Sequence, residues 1–179
     1  MSLAQLESQI EDLRAQAERI QSRWARTRAS ITNDNTLTDV GKQGKLDTER
    51  EQVSAKLSDL RGQESKLIAA KKQSLEKALF GLGPVDSCDT SKILSYRDAQ
   101  DRAGRLELAA DAKELLASAM RSEDRILATA VLAKAVASDW RSVTDEYVQQ
   151  HPRSGNDLKD LAALQGYTPL AAGFSYITT

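Results

Sequence analysis

The chain has 179 residues, of which 28% are charged and 4% aromatic, with one cysteine and one histidine. Twenty-five basic against 26 acidic side chains leave a formal net charge of −1, which argues against a general electrostatic grip on nucleic acid or anionic membrane. A lone Cys88 excludes an intrachain disulfide and a thiolate metal cluster. The abundance of Ala, Leu, Glu, Gln, Arg and Lys is that of long helices and coiled coils.

The N-terminal stretch MSLAQLESQIEDLR is amphipathic and charged, unlike the apolar core of a signal peptide. No apolar run approaches the roughly 20 residues that span a bilayer. A soluble chain made in a cytoplasm is expected, with no membrane partner.

Leu3, Leu6, Ile10, Leu13, Ala17, Ile20, Trp24, Thr27 and Ile31 follow steps of three and four without a break. A 3.5-residue period predicts a helix with a narrow coiled-coil seam. Acids gather at its start (Glu7, Glu11, Asp12) and bases near its end (Arg19, Arg23, Arg26, Arg28), the order the helix dipole favours. TNDNTLTDVG then breaks the pattern over about residues 32–38, with Thr36 or Thr38 as the next N-cap.

A second series runs through Leu46, Arg50, Val53, Leu57, Leu60, Glu64 and Leu67. Pairing the two helices antiparallel sets Leu3 against Leu67, Leu6 against Glu64, Ile10 against Leu60 and Leu13 against Leu57. Ala17 then meets Val53, Ile20 meets Arg50 and Trp24 meets Leu46, which centres the turn on Asn35. The heads of Arg50 and Glu64 are expected in water, their stems laid across the seam. Past Leu67 the apolar positions shift to Ile68, Leu75, Leu79 and Phe80, so the helix is expected to outrun its partner and pack on the C-terminal half. Gly81 and Gly83-Pro84 end it. Residues 1–82 therefore read as a long antiparallel coiled-coil hairpin, and a seam this narrow predicts self-association or a protein partner, with a monomeric spike as the alternative.

Residues 83–91 read as a linker ending in the caps Asp89, Thr90 or Ser91. A helix over about 92–120 follows, with Gly104 as its weak point. Ser122, followed by Glu123 and Asp124, predicts the start of another helix to about 149, ended by His151-Pro152. Ser154 opens a last short helix that Gly166 stops. Residues 92–166 make a small helical bundle. The tail 167–179 carries Tyr167, Phe174, Tyr176 and Ile177, candidates either to fill the bundle or to dock on a partner. The fold class is all-α.

Chemistry-bearing patterns are few. His151 and Cys88 are far apart in sequence, and no glycine-rich phosphate loop follows a strand. Glu107, Asp111 and Glu114 share a helical face that solvation explains. No catalytic residue, metal site, cofactor or small-molecule substrate is expected. Arg23, Arg26 and Arg28 beside Trp24, with Lys42 and Lys45 across the turn, put positive charge at the hairpin tip and could meet phosphates or an acidic protein.

Two stretches, ITNDNTLTDVGKQGKLDTEREQVSAKLSDLR and SYRDAQDRAGRL with AMRSEDRILATAVLAKAVASDWRSVTDEY, resemble small α-helical proteins encoded among the virion structural genes of actinobacterial tailed phages. They span about half the chain. The resemblance implies a role in virion assembly or structure, as a scaffold, a minor capsid component or a connector-associated protein, and carries over no binding residues. The partners it implies are copies of the chain itself and a capsid- or tail-type protein. The host cytoplasm and the virion are then the expected locations. A nucleic-acid-associated protein using the basic tip and a regulator binding one host protein are the alternatives.

Overall fold

The computed structural model describes residues 2–83 and 86–167. Among these the chain is all-helical, with seven α-helices and no strand: α1 Leu3–Thr32, α2 Asp39–Phe80, α3 Thr90–Gly104, α4 Ala109–Arg121, α5 Arg125–Ala137, α6 Arg141–Gln150 and α7 Ser154–Gln165. A 3-10 turn, Asp86–Cys88, precedes α3. The chain divides into two compact units, Met1–Lys71 with the chain from Leu164 on, and Lys72–Ala163.

In the first unit a capping box starts α1: Ser2 accepts from the Gln5 amide while the Gln5 side chain accepts from the Ser2 amide. The 33–38 connection is fixed by Asp34, whose carboxylate accepts from both the amide and the hydroxyl of Thr36. Those bonds hold the Asp34 carboxyl below its ordinary value. Thr38 caps α2 by accepting from Gly41, and the Lys42 ammonium donates to the Thr32 carbonyl at the end of α1. Leu13, Ala17, Trp24, Val53, Leu57 and Leu60 form one buried cluster, with Ile20, Leu46 and Leu67 packed against it. Each fully buried leucine here contributes about 1.5–3 kcal/mol relative to exposure.

Glu64 differs from expectation. It is 1% exposed rather than reaching water, and it lies against Arg14 instead of standing opposite Leu6. A buried carboxylate is tolerable only when its oxygens are hydrogen-bonded, and Arg14 supplies that partner.

The second unit is built around α5, whose Leu127, Ala128, Ala130, Val131, Leu132 and Ala135 are all buried. Around it lie Ala112, Leu116 and Ala119 of α4, Val143 and Tyr147 of α6, and Ala99 and Ala103 of α3. Alanine at these contacts lets helix axes approach closely. Leu75 and Leu79 are buried and Phe80 packs on the α5 core, as the shifted apolar face of α2 predicts. Gly81 is the stop: a Cβ there would meet the Lys77 carbonyl oxygen at 2.5 Å.

Of the two long helices expected from the sequence, the first ends at Gly104, its weak point, and the second is interrupted without such a mark. Residues 105–108 separate α3 from α4, so Glu107 precedes α4 rather than sharing a helical face with Asp111 and Glu114. Residues 138–140 separate α5 from α6. Ser122 closes α4 instead of opening α5, and Asp124 is the N-cap, accepting from the Leu127 amide at 3.0 Å.

Candidate functional site

The α1/α2 face follows from helix geometry. At about 100° per residue, Arg14 projects to one side of Leu13, with Gln9 and Asp12 on the other. On α2, Glu64 falls to one side of Leu67, with Gln63, Lys66 and Ala70 on the other. The pair therefore has two flanks of different chemistry.

One flank is closed by a polar latch. The Arg14 guanidinium donates to Glu64 Oε1 at 2.9 Å and to the Tyr167 hydroxyl oxygen at 2.7 Å. The Tyr167 hydroxyl donates in turn to the same Glu64 oxygen. Three side chains distant in sequence bond one another in a partly buried place, where such bonds are strong, although Arg14 Nε is buried with no hydrogen-bond partner among the described residues.

The other flank is open. Gln9, Asp12, Leu13, Gln63, Lys66, Leu67 and Ala70 line a groove of about 540 Å³. Leu13, Leu67 and Ala70 form its floor, and the exposed Asp12 and Lys66 stand on opposite walls. Both flanks bring the Leu13 turn of α1 beside residues 63–70 of α2, one heptad along from the facing that the sequence pairing gives.

The remaining candidates are placed as follows. Leu6 and Ile10 are buried and Leu3 is half-buried. Arg23, Arg26 and Arg28 are exposed, and Val40, near the start of α2, is 85% exposed. Tyr167 is half-buried in the latch. Phe174, Tyr176 and Ile177 lie outside the described residues.

The second unit holds a cavity of about 620 Å³ whose lining includes Met120, Glu123, Arg125, Tyr147, His151 and Ser154. Tyr147 and His151 stack with ring centroids 4.4 Å apart. Burial pushes the Tyr147 phenol up, opposed by the Arg125 charge and a hydrogen bond with Ser154. His151 Nδ1 is buried with no hydrogen-bond partner among the described residues. Sequence reading missed this cavity, because its lining comes from α2, α4, α5, α6 and α7 with no spacing that links them.

Among the described residues no group of three or more His, Cys, Asp or Glu side chains gathers to hold a metal ion. No described helix is long and apolar enough to cross a membrane. No protein-family model, curated protein or solved structure matches the chain.

Proposed function

We propose that this chain is a non-enzymatic virion-assembly protein of the tailed-phage type, acting through helical contacts with other protein chains. In this reading α1 and α2 through Lys71 form an antiparallel coiled-coil hairpin, the tail from Tyr167 onward is a further contact element, and the protein works in the host cytoplasm and in the particle. The observation that carries it is the asymmetry of the α1/α2 face. A latch seals one flank, while the other leaves an apolar floor between charged walls. Apolar floors with polar rims are what protein interfaces bury. The first of the two stretches that resemble phage structural proteins includes most of α2's share of this hairpin, which fits the reading.

Co-expression with the products of the neighbouring genes tests it. Co-elution with a capsid- or tail-type protein is expected, weakened by Ala70→Arg in the groove. Failure to associate with any of them, together with salt-dependent DNA binding lost on changing Arg23, Arg26 and Arg28 to Ala, would replace it with the nucleic-acid reading. Capture of one host protein alone would point to a regulator instead.

A further inference from the structure

We infer that the open groove of α1 and α2 seats a second copy of this chain, the copies meeting about a two-fold axis that runs along the helices. This deepens the proposed function and rests on its antiparallel pairing of α1 with α2, naming the first protein the pair meets.

The argument is charge pattern around an apolar floor. Asp12 stands on the α1 wall and Lys66 on the α2 wall. One heptad along the same flank the signs invert, with Arg19 on α1 and Asp59 on α2, and all four side chains are exposed. Seven residues forward on α1 and seven back on α2 travel the same way along an antiparallel pair. The α1 wall therefore reads acid then base where the α2 wall reads base then acid.

A two-fold axis along the helices lays each α1 wall over the α2 wall of the other copy at the same height. Asp12 then faces Lys66 of the second copy, and Arg19 faces its Asp59. An axis across the helices that lays apolar floor on apolar floor would stack Asp12 on Asp12 and Lys66 on Lys66, and like charges in register are unfavourable. Moving that axis midway toward Arg19 pairs opposite charges but slides the two floors apart. The pattern selects the first axis. The product is an isologous interface in which every helix has antiparallel neighbours, the arrangement of an up-down four-helix bundle. Leu13, Leu67 and Ala70 of both copies meet at its centre, covering the apolar surface that a two-helix seam leaves open.

Light scattering on the full chain tests this. A dimer is expected. Lys66→Asp sets two like-charged pairs across the interface and weakens association about tenfold or more. Adding Asp12→Lys to it exchanges the signs and restores the dimer, while Ala70→Arg abolishes it. These are exposed positions, so helix content by circular dichroism should not change. A native chain that stays monomeric overturns the inference, as does a dimer indifferent to the three substitutions. A photo-crosslinking residue at position 70 that forms crosslinks only within one molecule, and none between two copies, overturns it too. A monomer that still co-elutes with a virion protein would sink the two-fold docking alone. A groove-dependent dimer that meets no virion protein would sink the assembly role alone.

Discussion

Arg14 of α1 and Glu64 of α2 meet at 2.9 Å with the carboxylate 1% exposed, and this contact does what apolar spacing cannot. A heptad seam is periodic, so sliding one helix past the other by seven residues again faces apolar positions with apolar positions. A buried polar pair breaks that degeneracy, because only one offset satisfies it. The Tyr167 hydroxyl on the same oxygen adds a third constraint.

Removing half of the pair should therefore cost more than removing both. Arg14→Ala takes the cation away from the buried Glu64 carboxylate and leaves the Tyr167 hydroxyl bonded to it. Breaking a buried pair costs about 3–5 kcal/mol, and the 36% exposure of Arg14 brings the expected loss nearer to about 2 kcal/mol. The double change Arg14→Leu with Glu64→Leu should be as stable as the native chain or more so. Thermal unfolding followed by circular dichroism checks both. With spin labels at positions 22 and 52 and Cys88→Ser, the native chain should give one distance. The double leucine variant should add a population displaced by one heptad, about 10 Å along the helix at 1.5 Å per residue. A single unchanged distance would show that the pair does not set the offset.

That degeneracy marks where the sequence stops being legible. The burial of Leu6, Ile10, Leu13, Ala17, Trp24, Val53, Leu57 and Leu60, a break near residues 32–38 with Thr36 or Thr38 as the cap, and the turning of α2's apolar face at Leu75, Leu79 and Phe80 all follow from local spacing and composition. The offset between α1 and α2 does not, because it depends on a contact fifty residues apart along the chain. A charged residue on an apolar seam was the available signal. Taken alone, Glu64 looks like a side chain that reaches water, and its burial rests on distant partners that include Arg14 and Tyr167.

The two glycines Gly62 and Gly81 of and beside α2 should respond oppositely to alanine. Gly62 lies inside the helix with nothing within 4 Å of an added Cβ. Gly62→Ala should stabilise by about 0.5–1 kcal/mol, through the unfolded chain's lost freedom. At Gly81 the same Cβ meets the Lys77 carbonyl oxygen at 2.5 Å, a backbone atom that cannot turn aside. Gly81→Ala should lower the unfolding temperature. Denaturant midpoints of the two variants read the sign directly.

Tyr147 should make the second unit's stability fall at alkaline pH. Its folded pKa is raised above 10.0, chiefly by burial. A raised folded value means that its contribution is fully present below the unfolded pKa and is lost as pH rises through the folded one. Tyr147→Phe removes the hydrogen bond with Ser154, costing about 1 kcal/mol at neutral pH. It also removes the alkaline decline, so the gap between native and variant should narrow above pH 10. A gap that stays constant from neutral to alkaline pH would show that the phenol does not carry this dependence.

The break after α5 was illegible for a different reason, and the break before it, which Ser122 marked two residues short of the Asp124 cap, shares that reason: neither uses the residue that usually marks one. Glu123 and Asp139 hold positive φ values of 55° and 54°, where glycine is the favoured occupant. The two turns close alike. Asp124 donates its amide to the Ala119 carbonyl and Trp140 donates to Ala135, each at 2.9 Å across five residues. The chain reads Ser122-Glu123-Asp124-Arg125 at the first and Ser138-Asp139-Trp140-Arg141 at the second, neither with a glycine. Left-handed backbone costs a side-chain-bearing residue about 1–2 kcal/mol. Glu123→Gly should recover part of that, about 1 kcal/mol after the added freedom of glycine in the unfolded chain is discounted. Asp139→Gly should gain as much, because its contact with Arg141 at 3.5 Å is highly exposed and contributes little. Each variant should unfold at a higher denaturant concentration than the native chain, and the two gains should add when combined. Destabilisation by either one would mean that the carboxylate holds its turn through contacts stronger than the strain.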